Sequence, residues 1–235
     1  MNTTSEAGMV KKTLKTSRRK TQGEETRATL IQTGARLFAQ HGYSAVSMRT
    51  LATEAGVNLA TVSYHFGGKA GLYQAILQEI INIRDSIVPP SREVLARMAT
   101  AGENIKAKAG VVDWFIEALI RGILGRMDNV WATIIITREL AHPSDLYPKL
   151  EQEFFDPSFK ALYTLVENSL PHGTDRDDIV ISAHGIIAIV LKLLEAHNLI
   201  TKRLGWESYD GHLDTMTAII KKRMRGFLGL PMENA

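Results

Sequence analysis

The chain reads AVSMRTLATEAGVNLATVSYHFGGKAGL over residues 45–72, a pattern that predicts two short helices joined at Gly56. Ser47 and Asn58 stand where these helices would begin, and their side-chain oxygens can accept hydrogen bonds from backbone N–H groups of the first turn. Gly56 suits the left-handed conformation in which a helix ends. Two short helices with a glycine at the turn between them are typical of a helix-turn-helix unit.

The second predicted helix has one face that core packing explains and another that it does not. Val62 and Phe66 are four residues apart and would pack inward against the first helix. The opposite face would then expose the small apolar residues Leu59 and Ala60, together with hydroxyl and imidazole groups. Small apolar side chains at the exposed start of a helix fit the thymine methyl groups of a DNA major groove, and the polar groups fit phosphate oxygens. This face therefore predicts contact with duplex DNA.

A second interpretation of the same spacing is a helical corner inside a larger bundle. Helix pairs joined by a glycine-containing turn are common, so spacing alone does not separate such a corner from a DNA-binding unit. The two interpretations differ in one observable. A corner would bury residues 59–65 beneath the rest of the chain, whereas a DNA-binding helix would expose them.

The same residues resemble the N-terminal domain of TetR-type transcriptional regulators. The family pattern is a helix, then T-x-R-x-L/I-A-x-x-A-G-V, a short recognition helix, and Y-x-H-F or a close variant followed by x-x-K. One position departs, because Ser63 stands where many relatives have tyrosine, with Tyr64 next to it. The matching residues are Arg49, Leu51, Ala52, Ala55, Gly56, Val57, Thr61, Tyr64, His65, Phe66 and Lys69.

The resemblance implies an all-α protein with an N-terminal three-helix helix-turn-helix DNA-binding domain and a C-terminal helical ligand-binding and dimerisation domain. Such regulators are homodimers whose last two helices form the interface, here about residues 175–200 and 208–229. The two-fold axis would place both recognition helices in successive major grooves, about 34 to 36 Å apart, on a partly palindromic double-stranded operator. The C-terminal part, with Thr137 to Leu140 before Pro143, resembles the CecR-type subgroup.

The residues expected to contact DNA follow from the exposed face and the family pattern. Leu59, Ala60 and Thr61 would approach base edges, and Asn58 could contact either bases or phosphates. The residues expected to hold phosphates are Ser47, Arg49, Ser63, Tyr64, His65 and Lys69.

Length, charge and the lack of cysteine limit the possible classes of protein. At 235 residues the chain can form one large or two modest domains with a sizeable core. It has no cysteine, which excludes disulfides, thiolate nucleophiles and cysteine-ligated metal sites. Residues 1–70 carry ten Lys or Arg and four acidic residues, a balance of +6, whereas the remainder carries eighteen and twenty-one, a balance of −3. The basic part coincides with the helix-turn-helix, which favours attraction to DNA phosphates.

We divide the chain into a basic disordered arm (1–22), a helix-turn-helix DNA-binding domain (23–70) and a helical effector-binding and dimerisation domain (71–235). The arm has few apolar residues and no helical stripe, which is why it is expected to be disordered when free. Two roles for it stay open: a solvated tail that aids solubility, or an arm that lies along phosphates or enters a minor groove. Its cations are Lys11, Lys12, Lys15, Arg18, Arg19 and Lys20.

The apolar pattern is helical along the rest of the chain, without an alternating strand or a hairpin turn signal. A helix begins at Lys69 and is halted by the prolines that follow Val88. Pro148 would open, and Pro157 would kink or split, the fourth helix beyond those prolines. The other helices are expected near 24–41, 91–100, 109–125, 128–140, 145–169, 175–200 and 208–229.

The segment 179–200 is apolar around most of its circumference and is long enough to suggest a membrane span. Lys192, Glu195, His184 and His197 argue against that assignment. A helix that is apolar on most sides should instead be buried, partly in its own domain and partly against another chain. No secretory signal opens the chain, so we expect a soluble, cytoplasmic protein without a membrane partner.

A small-molecule cavity is expected among the helices at 109–125, 128–140, 145–169 and 175–200. Such pockets are mostly apolar with a few orienting polar groups. For each aromatic residue taken alone, core packing is the competing role. The candidate lining residues are Trp114, Phe115, Leu119, Trp131, Ile134, Ile135, Phe155, Phe159, Ile187 and Leu191, and the candidate polar groups are Arg138, Glu139, His142 and His184.

Catalysis is the rival class of function, and the motifs argue against it. The chain has no HExxH, no GxSxG, no glycine-rich phosphate loop and no cysteine nucleophile. His142, Ser144 and Asp145 are too close in sequence to form a catalytic relay. We predict no catalytic, metal or cofactor site. The hypothesis is a dimeric, ligand-responsive repressor whose effector shifts the helix that begins at Lys69; an activator, an effector-independent repressor and a helical interaction module stay open as alternatives.

Overall fold

The computed structural model describes the backbone of residues 4–125 and 130–232, with side chains from residue 22 onward in those ranges. Within these residues the chain is helical and has no strand, which confirms the all-α prediction. A π-helical segment, Glu151–Phe155, joins the ninth and tenth helices. The helices are α1 (Thr4–His41), α2 (Met48–Glu54), α3 (Leu59–Phe66), α4 (Lys69–Asn82), α5 (Arg84–Ile87), α6 (Ser91–Ala101), α7 (Ile105–Leu124), α8 (Val130–Ala141), α9 (Tyr147–Leu150), α10 (Asp156–Ser169), α11 (Arg176–Glu195), α12 (His197–Leu204) and α13 (Leu213–Phe227).

The chain divides into two compact units. The N-terminal unit comprises Met1–Glu79 together with Ile134–Arg138, and the C-terminal unit comprises Ile80–Thr133 and Glu139–Ala235. The segment Ile134–Arg138 is the middle of α8, so one helix contributes residues to both units. The expected domain boundary at residue 70 therefore differs from the division that the structure shows.

The N-terminal unit keeps most of α4 because α1 and α4 approach each other closely at Gly34. A Cβ at that position would lie 2.9 Å from Cδ1 of Ile76 and 3.0 Å from Cδ2 of Leu72. Both α4 side chains are fully buried. The lack of a side chain at Gly34 allows these two large residues to fill the space against α1, and this places α4 in the N-terminal core.

The segment expected to be a disordered arm over residues 1–22 is helical from Thr4 onward and is continuous with the rest of α1. The sequence prediction relied on the scarcity of apolar residues. However, Lys, Arg, Gln, Glu and Ala are good helix formers, no proline precedes Pro89, and extending a nucleated helix costs little. Residues 1–3, and the side chains of the arm's cations, lie outside what the structure describes.

The C-terminal unit is built around α7, which packs against α6, α10, α11 and α13. Four large side chains of α7 are completely buried: Phe115, Ile116, Leu119 and Ile120. They recur at three- and four-residue spacing and so form the inner face of the helix.

The structure differs from the predicted bounds of two helices. The one expected over 145–169 is α9, the π-helical segment and α10 in succession, with Pro148 in the first turn of α9 and Pro157 in the first turn of α10. At Pro148 the missing N–H has no helical acceptor, because α9 begins there. Pro157 follows the π-helical segment, so it lies where the type of helix changes. The helix expected from 128 begins at Val130 among the described residues, and residues 128–129 lie outside them.

The helix expected over 175–200 is broken at Ala196, between α11 and α12. The hydroxyl of Tyr209 donates to the carbonyl oxygen of Leu193 at 2.7 Å, and the Tyr209 ring packs against His197 with centroids 4.4 Å apart. These contacts come from a later loop, which is why the break has no local signal. Among the described residues no single helix is long and apolar enough to cross a membrane, although α11 and α12 together, bent by 74°, meet the criterion of length and composition.

Glu117 on α7 lies at the centre of an ionic network that joins α7 to α13. Its carboxylate accepts hydrogen bonds from Lys221 at 2.9 Å and from Arg121 at 3.0 Å, and Arg121 also donates to Asp214 at 2.7 Å. The hydrogen bonds from Lys221 and Arg121 hold the pKa of Glu117 below its ordinary value.

This depressed pKa predicts an acid-dependent contribution to stability. A carboxyl group whose pKa is lower in the folded chain stabilises the fold above its unfolded pKa of 4.5, and that contribution is lost as the pH falls through the folded pKa. We expect Glu117→Gln to lower the urea midpoint at pH 7, and we expect the difference from the wild type to shrink as the pH falls through the folded pKa of Glu117, below which both side chains are neutral. Urea titrations of both proteins across this range check the result, and a difference in midpoint that does not change with pH would contradict it.

Candidate DNA-binding surface

The structure forms the helix-turn-helix through the caps that the sequence predicts. Ser47 Oγ accepts from the backbone N–H of Thr50 at 3.0 Å, and Asn58 Oδ1 accepts from the backbone N–H of Thr61 at 2.8 Å. Between α2 and α3, Gly56 has a φ of 66°, the left-handed conformation that glycine adopts without strain. The turn thus sets the direction of α3 relative to α2.

The outward face of α3 is exposed, as predicted for a helix that binds DNA and not for a buried corner. Val62 is 0% exposed and anchors α3 to its unit, whereas Leu59 is 51% and Tyr64 is 85% exposed. Of the ten residues expected to contact DNA, the exposed ones are Ser47, Arg49, Asn58, Leu59, Ala60, Ser63 and Tyr64, and the half-buried ones are Thr61, His65 and Lys69.

Lys69 is held against the N-terminal unit. Its Nζ lies 4.3 Å from the centroid of the Tyr43 ring and 3.4 Å from the carbonyl oxygen of Ser44. Burial lowers the pKa of Lys69. Tyr43 in turn packs against Phe38 and Tyr73, with ring centroids 5.8 and 4.7 Å away, and these contacts fix the ring that lies beside Lys69. The sequence predicts that Tyr43 folds back on Phe38, which the structure confirms, but it does not predict the contact of Tyr43 with Lys69.

Arg138 takes a different role from the one expected of it in a ligand pocket. Its guanidinium donates to the carbonyl oxygen of Ala39 at 3.0 Å and to that of Gln40 at 3.1 Å. These carbonyls lie in the last turn of α1, where a helix leaves acceptors unsatisfied and where positive charge is favourable. Arg138 therefore stabilises the end of α1 inside the N-terminal unit. No local pattern signals this contact, because its partners lie about a hundred residues away in the chain.

The other residues expected around a ligand are divided between core and surface. Of the fourteen, Ile134, Ile135 and Arg138 belong to the N-terminal unit and the rest to the C-terminal unit. The buried ones are Phe115, Leu119, Ile135, Glu139 and Phe155, the half-buried ones are Trp114, Trp131, Ile134, Phe159, Ile187 and Leu191, and the exposed ones are Arg138, His142 and His184.

Two of the expected orienting groups make hydrogen bonds near their own helices. The carboxylate of Glu139, 3% exposed, accepts from the backbone N–H of Ser144 at 3.1 Å and from its hydroxyl at 3.0 Å. His184 stacks on Phe159 with ring centroids 4.5 Å apart, and its Nδ1 donates to the carbonyl oxygen of Val180 at 2.7 Å. Both groups thus have partners that stabilise the fold, with His184 Nε2 left for other contacts.

A surface cleft of about 650 Å³ lies between α7 and α13 in the C-terminal unit. It is lined by Gly110, Asp113, Trp114, Glu117, Ala118, Lys221 and Arg225. Trp114 is the expected pocket residue on this surface, and its ring is covered by the guanidinium of Arg97 at 4.0 Å. Within the described residues, no group of three or more His, Asp or Glu side chains could hold a metal ion together.

Comparison with known proteins agrees with this architecture. Residues 30–76 match the bacterial regulatory proteins of the tetR family, and residues 112–229, half of the chain, match the C-terminal domain of the HTH-type transcriptional dual regulator CecR. CecR of Shigella flexneri is 26% identical over 193 residues, which cover 80% of this chain and 84% of that protein.

Solved structures share the fold at low sequence identity. AibR in complex with isovaleryl coenzyme A and operator DNA matches with a TM-score of 0.58 at 17% identity, over 83% of this chain and 97% of that one. NalD, the secondary repressor of the MexAB-OprM multidrug efflux pump in Pseudomonas aeruginosa, matches with a TM-score of 0.56 at 20% identity, over 90% of this chain and 98% of that one.

The family consists of transcriptional regulators and not of enzymes. Its N-terminal match covers the helix-turn-helix, and its C-terminal match covers most of the C-terminal unit. The chain belongs to the tetR family of DNA-binding transcriptional regulators and carries a C-terminal domain of the CecR type.

Proposed function

We propose that this regulator is a cytoplasmic, ligand-responsive repressor that binds a partly palindromic operator as a homodimer and is released by a small molecule. The observation that carries the DNA-binding part is the exposed outward face of α3, held in place by a buried Val62 and by caps at both short helices. Exposed hydroxyl and small apolar groups on one helix face can contact phosphates and thymine methyl groups in a major groove, whereas water offers the apolar groups no favourable contact.

Exposed apolar residues on α11 and α13 support a homodimer through these helices. Ile181 and Ile219 are 71% and 53% exposed, and Phe227 is 49% exposed. Phe227 lies against Gly185, where a Cβ would stand 3.2 Å from the Phe227 ring. Pairing with a second copy would bury this surface and would supply the second recognition helix that a palindromic operator needs.

Release by an effector requires a ligand that binds the non-operator arrangement more tightly than the operator-bound arrangement. We place the effector in the C-terminal unit and expect it to shift α4, because α4 follows the recognition helix directly and continues into that unit. A shift of α4 would change the separation of the two recognition helices in the dimer. Of the fourteen residues expected around the ligand, the eleven that belong to the C-terminal unit remain our proposal for the region of binding.

Activation is the second candidate function, and the name of a relative favours it. CecR of Shigella flexneri is called a dual regulator. Whether a regulator blocks or assists transcription depends on where its operator lies, and the DNA-binding surface is the same in both cases.

The experiment begins with selection of bound fragments from genomic and random DNA by the full-length chain, followed by a screen for compounds that release them. Reporter transcription from a promoter carrying the selected site then distinguishes repression from activation. Binding without preference for any sequence at any salt concentration would contradict the proposed function and favour an interaction module instead.

Arg49 provides a test of phosphate binding, because it is exposed on α2 beside the recognition helix. We expect Arg49→Ala to weaken binding to operator and unrelated DNA by the same factor, about tenfold for each charged hydrogen bond lost. The slope of log K against log salt should fall by about one for each phosphate contact.

The matched control is Arg92→Ala, which removes the same charge from α6, where the Arg92 side chain is 81% exposed. It should leave both the affinity and the salt slope unchanged. If Arg92→Ala and Arg49→Ala weaken binding equally, the effect comes from net charge, and the assignment of Arg49 is wrong.

A further inference from the structure

The exposed face of α3 lacks the side chains that read bases through two hydrogen bonds. Arginine or lysine reads guanine in this way, and asparagine or glutamine reads adenine. The sequence of α3, LATVSYHF, contains none of these four residue types. The helix begins instead with two apolar residues, Leu59 and Ala60, both exposed.

Asn58, the amide immediately before α3, is committed to the helix cap. Its Oδ1 accepts from the backbone N–H of Thr61 at 2.8 Å and from the Thr61 hydroxyl at 2.8 Å. A bidentate contact to adenine needs the same oxygen and would break both bonds. The cap therefore removes the nearest amide from the bidentate contact to adenine. It also uses the hydroxyl proton of Thr61, so that the Thr61 oxygen is left only as an acceptor.

The first residues of a recognition helix are those that meet base edges in the major groove. In this chain these positions present a leucine with half of its surface exposed and an alanine. In the major groove, the apolar group on a base edge is the C5-methyl of thymine. Contact between that methyl and these side chains removes apolar surface of both molecules from water.

We propose that Leu59 and Ala60 read thymine methyl groups, so that each operator half-site carries thymine at the positions that face the start of α3. This inference rests on the proposed operator binding and adds the chemistry of recognition. Arg49, Tyr64 and the other phosphate ligands position the helix, and the methyl contacts select the sequence.

The test replaces single thymines of the selected operator by deoxyuridine. This change removes only the C5-methyl group and leaves the O4 acceptor and the pairing with adenine intact. Dissociation constants of the full-length chain are measured by fluorescence anisotropy at one salt concentration. We expect the constant to rise about fourfold for each contacted methyl, at the thymines that face Leu59 or Ala60 and not at the others.

Leu59→Ala should bind the thymine operator more weakly and should lose the deoxyuridine penalty at the position that Leu59 contacts. The matched control is Leu95→Ala on α6, since Leu95 is 55% exposed and Leu59 is 51% exposed. The control should bind as the wild type does and should keep the full penalty.

The outcomes separate this inference from the proposed function. If the chain selects an operator but tolerates deoxyuridine at every position, or if Leu59→Ala keeps the penalty at every position where the wild type shows it, methyl recognition by Leu59 is wrong while operator binding stands. If no sequence is selected at all, the proposed function fails and methyl recognition fails with it.

Discussion

Replacing Asp113 with alanine is expected to lower the free energy of unfolding of the C-terminal unit by about 3 kcal/mol. Asp113 on α7 pairs with Arg225 on α13, and Nε of Arg225 donates to Oδ1 of Asp113 at 2.8 Å. A second hydrogen bond joins Arg225 Nη2 to Oδ2, so the contact is bidentate. The two side chains are 15% and 11% exposed.

The loss of stability expected for Asp113→Ala is large because Arg225 stays in place. Without the carboxylate of Asp113, the Arg225 guanidinium would lose its bidentate ionic contact while staying largely buried, which costs more than the pair itself contributes. Replacing both residues by apolar ones, as in Asp113→Leu with Arg225→Met, should therefore recover most of the loss. If the double variant is as unstable as Asp113→Ala, the desolvated charge is not the cause.

Tryptophan fluorescence during urea unfolding measures this stability, because Trp114, Trp131 and Trp206 all belong to the C-terminal unit. Protein concentration is held constant, since dimerisation would couple stability to concentration. The control is Glu93→Ala, which removes an acid from an exposed i,i+4 pair with Arg97 whose side chains are 44% and 46% exposed. It should cost less than about 1 kcal/mol.

Gly71→Ala is expected to reduce operator affinity by about ten- to a hundredfold. Gly71 lies in the first turn of α4, and a Cβ there would overlap the carbonyl oxygen of Phe66, with the carbonyl carbon at 3.0 Å. Phe66 is the last residue of α3. Because the obstacle is backbone, the turn between α3 and α4 must open, and the recognition helix must move with it.

Fluorescence anisotropy with the selected operator measures the loss, and the tryptophan signal shows whether the C-terminal unit stays folded. Gly110→Ala is the matched control, since Gly110 lies in α7 with no atom within 4 Å of an added Cβ. It should bind DNA as the wild type does and gain up to about 1 kcal/mol of stability, because alanine favours a helix over glycine. Wild-type affinity in Gly71→Ala would show that the turn is not constrained as the structure implies.

The helix-turn-helix was predictable because its signals are local. The caps at Ser47 and Asn58 each act over three residues, and the left-handed Gly56 needs no distant partner. The exposure of Leu59 and Tyr64 follows once Val62 is assigned to the core. The recognition surface could therefore be predicted from residues 45–72 alone.

The packing of the residues proposed to line a ligand pocket was not predictable to the same degree. Apolar spacing identifies Phe115 and Leu119 as inward-facing but does not show whether an inward face meets a cavity or another helix; here both are fully buried. A polar residue beside such a face, such as Glu139, can equally be an orienting group or a cap for the next loop. Here Ser144 donates two hydrogen bonds to the carboxylate of Glu139. Such choices depend on neighbours that spacing does not reveal.

The sequence of residues 45–72 by itself determines the turn, the caps and the outward face of the recognition helix, since each of these depends on hydrogen bonds and side-chain spacing within a few residues. Folding in three dimensions decided the contacts between distant parts of the chain: Arg138 with the end of α1, 99 residues away, and Arg225 with Asp113, 112 residues away. An arginine can pair with any acceptor that lies within reach, so its position in the sequence does not identify its partner. The packing of whole helices determines the partner, because it brings one particular carboxylate or helix end within reach of the arginine.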